Sequence, residues 1–184
     1  MRLSNETYEE IKQAVADMFV DYDIKGVPLC SFEVAIKIGL TVIPYSALDW
    51  KKRIEAVIYS EDGYSLETNE GEWIIYYQDE GKEYSRINQT IMHEIGHYIL
   101  GHTEEGTIEE AEAKFFAKYA LASPPLIHNM RKEQTTENVM EAFDIGYKAS
   151  CYALQYYRKW MKYGKREYVS YEIQILEQLE IEVA

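Results

Sequence analysis

The chain is short of cysteine and of positive charge, and it contains no long apolar run. Its two cysteines, Cys30 and Cys151, stand far apart with no paired spacing. That excludes a disulfide framework and a cysteine-based zinc site, and two reduced, buried thiols are the expectation. No stretch approaches the length of a membrane span, and the opening run Met1 to Thr7 has no apolar segment behind its charge. Neither a transmembrane helix nor a secretory signal is therefore expected, and the cytoplasm is the implied compartment. Lys and Arg number 19 against 32 Asp and Glu, a net charge of −13. Such a surface repels phosphate backbones, so direct nucleic-acid binding is not expected. One local exception is the basic stretch of Lys148, Arg158, Lys159, Lys162, Lys165 and Arg166, which reads as a solvated helix face or a docking surface.

What is present is the pattern of a single domain spanning 1–184. Ile11, Ala14, Val15, Met18 and Phe19 recur at helical spacing and predict an opening amphipathic helix over 6–20, followed by a loop to Pro28. Ser31 starts a short helix that Gly39 stops, and Thr41 to Tyr45 is extended. Three β-rich pieces, 56–59, 64–67 and 73–77, are separated by turn signals at Asp62-Gly63 and Asn69-Glu70-Gly71, which predicts a small antiparallel sheet. Helical patterns then run over 84–102, 107–121, 136–143, 147–163 and 170–181, interrupted at Pro124-Pro125. The fold class is α+β, with a mostly helical C-terminal part packed on the sheet.

Chemistry concentrates in the run His93-Glu94-Ile95-Gly96-His97. Residues four apart on a helix stack one turn above the other, so His93 and His97 project from one face and hold one ion between them. Glu94 lies about 100° round the helix, beside those ligands, where a carboxylate takes a proton from a metal-polarised water. Two ordinary helix histidines are the competing explanation. Three of the four histidines fall within ten residues, with Glu94 in the slot that HExxH requires, and this favours metal binding. Tyr98 is adjacent and offers a hydroxyl, although among 17 tyrosines packing is the simpler role. Tyr152, Tyr156, Tyr157, Trp160 and Tyr163 form an aromatic stripe best explained the same way.

A catalytic zinc needs a third protein ligand. His102 is nine residues from His93, about 180° round a regular helix, and would point away. The metzincin pattern requires Gly and His where Leu100 and Thr103 stand. Glu110 and Glu112, in the helix after the turn from Gly101 to Gly106, both remain. Thr107-Ile108-Glu109-Glu110 is also a capping box, in which Glu110 would bond back to the Thr107 N–H instead.

The run Arg86 to His102, with Thr90 three residues before His93, followed by Glu110-Ala111-Glu112-Ala113-Lys114-Phe115-Phe116-Ala117, resembles the ImmA/IrrE family of metallopeptidases. Glu110, Ala113, Phe116 and Ala117 match that family's second motif, and Leu121 to Pro124 stand near its usual end. The similarity extends over about 28–160. It implies a zincin-like, minimal gluzincin helix pair with zinc held by His93, His97 and Glu110, and Glu94 as the general base. It also implies a zinc-dependent endopeptidase acting on a helix-turn-helix repressor that controls phage or mobile-element genes. Lys114 stands where the family usually has Asn, which motivates an alternative, a zinc-binding regulator that sequesters a transcription factor without cutting it. A purely structural metal with four protein ligands is a third reading.

Overall fold

A computed structural model describes residues 3–103, 106–164 and 167–181. Glu104 and Glu105 of the expected turn, and Lys165 and Arg166 of the basic stretch, lie outside the described residues. Helix α1, Asn5–Asp21, begins where the Ser4 hydroxyl accepts from the Thr7 N–H at 3.0 Å. Its face of Ile11, Val15, Met18 and Phe19 is buried in the core. Helix α2, Ser31–Ile38, stops at Gly39, whose φ of 90° is a left-handed conformation suited to glycine.

The sheet has three strands: β1 (Thr41–Pro44), β2 (Gly63–Glu67) and β3 (Trp73–Tyr77), in the order β1-β3-β2. It is mixed, and this corrects the antiparallel expectation. β3 pairs antiparallel with β2 and parallel with β1, in register from Thr41↔Ile74 to Pro44↔Tyr77. The expected strand over 56–59 is instead the last turn of helix α3, Trp50–Tyr59. Asp49 explains the difference: its carboxylate accepts from the Lys52 N–H at 3.1 Å and starts a helix that carries the β-favouring Val57, Ile58 and Tyr59 along with it. Only Ala56 of α3 is buried, whereas Trp50, Ile54 and Ile58, four residues apart, turn their apolar surface outward at 76%, 53% and 79% exposure.

Helix α4, Tyr84–Ile99, packs on the sheet and buries Ile91, Met92 and Ile95 completely. It approaches β2 closely at Gly63, where a Cβ would lie 2.7 Å from Thr90 Cγ2 and 2.8 Å from the Tyr76 carbonyl, so only glycine fits. Helix α5, Thr107–Ala122, lies against α4 and α1. The Pro-Pro pair both ends α5 and opens α6, Pro124–His128, since a helix start requires no N–H there. Helices α7 (Thr136–Phe143), α8 (Tyr147–Tyr163) and α9 (Ser170–Gln178) complete the chain in α+β architecture.

The α8 aromatics mostly pack: Tyr156 meets Phe115 edge-on at 5.8 Å, and Trp160 stacks with Tyr157 and Tyr168. Tyr152 and Tyr163 remain exposed. Cys30 and Cys151 are free thiols, half-buried rather than fully buried. Among the described residues no helix is long and apolar enough to cross a membrane.

Candidate metal centre

His93 and His97 sit one turn apart on α4, on the side that faces α5, and α5 brings Glu110 to them. Gly96 permits the approach. A Cβ at that position would stand 3.0 to 3.3 Å from three atoms of Phe116, which is fully buried, so the contact is tight and a larger residue requires Phe116 or its helix to give way. The glycine inside the HExxH run thus lets α4 and α5 pack closely at the level where Glu110 meets the histidines.

The three side chains form a near-equilateral triangle. His93 Nε2 and His97 Nε2 are 3.2 Å apart, and Glu110 Oε1 lies 3.5 Å from the first and 3.4 Å from the second. Donors about 2.0 to 2.1 Å from a tetrahedral ion are about 3.3 Å from one another, so all three edges suit zinc coordination. Burial, with the neighbouring His97 adding to it, pushes the His93 ring down to about 4. At neutral pH that ring carries no proton charge and has a lone pair to offer a metal.

Glu110 divides its two oxygens. Oε1 faces the imidazoles, while Oε2 accepts from Lys114 Nζ at 2.9 Å. Burial raises the Glu110 carboxyl, but the hydrogen bond and the charge of Lys114 outweigh it and hold it below the ordinary value. Lys114, in the position of the resembled family's Asn, therefore supports the candidate ligand rather than displacing it. The capping-box role of Glu110 is not observed. The N-cap is Gly106, one residue earlier than that box requires, and Glu109 is the residue whose carboxylate lies against it.

Glu94 is 6% exposed and its Oε2 accepts from the Ser65 hydroxyl at 2.7 Å. Ser65 belongs to β2, which forms an edge of the sheet and one wall of a cleft of about 770 Å³ shared with His93, His97 and Glu110. Sequence reasoning missed Ser65, because nothing local links it to a helix 29 residues later. Arg86 and Thr90 lie on the same stripe as the histidines, yet they serve attachment. Arg86 makes a two-point contact with Asp62 at the start of β2, and Thr90 Cγ2 packs at Gly63. Hydrogen bonds from Arg86, together with Lys82, hold the Asp62 carboxyl down at about 2 despite partial burial. Tyr98 packs edge-on against Trp73 at 5.6 Å.

The structure brings His102 back to the site, contrary to the expectation that it points away. Helix α4 ends at Ile99, with Gly101 at φ +67°. The His102 N–H then bonds to the His97 carbonyl and the Gly101 N–H to that of Tyr98, a Schellman closure. The helical period thus stops applying before residue 102, and the chain folds His102 under His97. Its Nδ1 is 3.0 Å from His97 Nδ1, and its Nε2 is 3.0 Å from Glu112 Oε2. Gly101 was the available signal, a helix-stopping glycine directly after Leu100. Glu112 thereby sits behind the site, not in the triangle. Comparison with known proteins adds nothing to this geometry, since no family model and no curated protein matches the chain.

Proposed function

We propose that this protein is a zinc-dependent endopeptidase of the ImmA/IrrE type, with a zincin-like helix pair, in which His93, His97 and Glu110 hold the metal. The single observation that carries the reading is the donor triangle, with edges of 3.2, 3.5 and 3.4 Å in a cleft bordered by an edge strand. Zinc held by these three residues would supply Lewis acidity toward a water and a peptide carbonyl. Glu94, beside those residues and held by Ser65, is the group that would take a proton from the attacking water and return it to the leaving amine. An extended substrate segment fits along the outer edge of β2, where backbone groups are available for pairing. A folded protein finds additional apolar surface on the outward stripe of α3, whose end at Tyr59 lines the same cleft.

Under this reading the substrate is a cytoplasmic helix-turn-helix repressor of phage or mobile-element genes, and the protein itself makes no DNA contact. The non-cleaving regulator draws its motive from Lys114 alone, and Lys114 holds the outer oxygen of Glu110. The test combines metal analysis of the purified chain with cleavage assays on candidate helix-turn-helix repressors. One zinc per chain is expected, with a large drop in Glu110→Gln. Glu94→Gln should keep its zinc and lose roughly 10²- to 10⁴-fold in cleavage rate. Undiminished zinc in Glu110→Gln, or unchanged repressor release without a fragment in Glu94→Gln, refutes the assignment.

A further inference from the structure

Behind His97, His102 Nδ1 lies 3.0 Å from His97 Nδ1 and His102 Nε2 lies 3.0 Å from Glu112 Oε2, and both side chains are largely shielded from solvent. We infer that His102 and Glu112 are positioning residues that fix the tautomer and orientation of His97 for metal binding. The inference rests on the metal reading above, and proton counting carries it further than contact alone. An imidazole that ligates through Nε2 must carry its hydrogen on Nδ1. His97 Nδ1 therefore donates, and His102 Nδ1, the atom facing it, must be the acceptor. A neutral His102 with a bare Nδ1 has its hydrogen on Nε2, and that hydrogen faces the Glu112 carboxylate.

Only one proton order satisfies both contacts with an ion on His97. The reverse order, in which His102 Nδ1 donates, forces the hydrogen of His97 onto Nε2 and leaves no lone pair for the metal. The Glu112 contact fits the productive order, in which the Nε2–H of a neutral His102 donates to the carboxylate oxygen. Each link is local to two consecutive structural devices: the Schellman turn at Gly101 delivers His102, and the first turns of α5 deliver Glu112 together with Glu110. Glu110 and Glu112 thus divide the work. The first faces the imidazole nitrogens that bind, and the second orients one imidazole from behind. Carboxylate-to-histidine support of this kind raises ligand basicity, and its loss typically weakens metal binding by about 10- to 100-fold.

The experiment measures zinc affinity of the full chain by competition with a chelating dye, for the parent, His102→Phe, His102→Asn, Glu112→Ala and Glu110→Gln. Ring-nitrogen NMR shifts of the zinc-loaded parent are read alongside. His102→Phe and Glu112→Ala are expected to bind zinc roughly 10- to 100-fold more weakly. His102→Asn should recover most of the loss, because its Oδ1 takes the place of Nδ1 as acceptor, which a merely space-filling role would not reward. The spectra should show hydrogen on Nδ1 of His97 and on Nε2 of His102. Parent-like affinity in His102→Phe and Glu112→Ala, equal losses in the Phe and Asn variants, or the opposite tautomers would each overturn the inference. The two readings fail separately: zinc held undiminished by Glu110→Gln refutes the metal site itself, whereas a weakened Glu110→Gln beside an unaffected His102→Phe refutes only the proton order.

Discussion

The two halves of the cleft are built in different ways. On the α4–α5 side, His93, His97, His102, Glu110 and Glu112 fall within twenty consecutive residues, and their geometry follows from two helices, one Schellman turn and the contact of Gly96 with Phe116. On the β2 side, the links join segments twenty or more residues apart: Ser65 with Glu94, and Asp62 with Arg86 and Lys82. The first half holds the proposed metal donors in a close-packed setting, with His97 buried and His93 and Glu110 partly so. The second places Glu94, the proposed base, and one wall of the cleft through polar contacts that are partly exposed. Under the proposed function, this division separates affinity for the ion from the rate of cleavage, so changes in one half should leave the other readout intact.

The sharpest way to break that division is Gly96→Val. Two methyl groups directed at the buried Phe116 ring should cost about 3 kcal/mol, lowering Tm by roughly 6 to 12 °C, and should weaken zinc binding because α5 carries Glu110 outward. Thermal melts and dye competition read the two effects, and a variant with normal Tm and zinc affinity would show that Gly96 does not set the helix spacing.

Ser65→Ala should do the opposite, lowering the cleavage rate about tenfold, since hydrogen bonds to charged groups contribute about 1.5 to 3 kcal/mol, while zinc affinity stays at the parent value. A matched fall in zinc affinity would mean the two halves are not separable.

The smallest effect concerns Asp62. Its carboxyl is held at about 2 in the folded chain, below the 3.8 of an ordinary Asp, so the unfolded chain binds its proton first as pH falls. The stabilisation is complete above about pH 4 and is lost on descending through about pH 2. Urea midpoints of the parent and Asp62→Asn should therefore differ at pH 5 and converge near pH 2, by a modest amount because the pair is partly exposed. A constant gap across that range would remove the Arg86 contact as its source.

The division also explains what was legible in the amino-acid sequence. His93, Glu94 and His97 could be read directly, because helical periodicity is a local property and fixes which side chains share a face. The same periodicity misled at His102, where Gly101 had already ended the helix. At 56–59, β-favouring side chains suggested a strand, and the Asp49 cap overrode them. Glu110 was separable from Glu112 only through family resemblance, since both lie on one helix within reach of the site.

By itself, then, the sequence determined the α+β class, the helices at the centre and the pair of imidazoles that share a face. Tertiary structure alone decided that β1 joins β3 in parallel, that Ser65 meets Glu94, and that Glu110 faces the histidines while Glu112 stands behind them. The physical reason is range. Periodicity and capping are written into neighbouring residues, whereas these pairings depend on how close two packed elements come, which at this site is set by the missing side chains of Gly63 and Gly96.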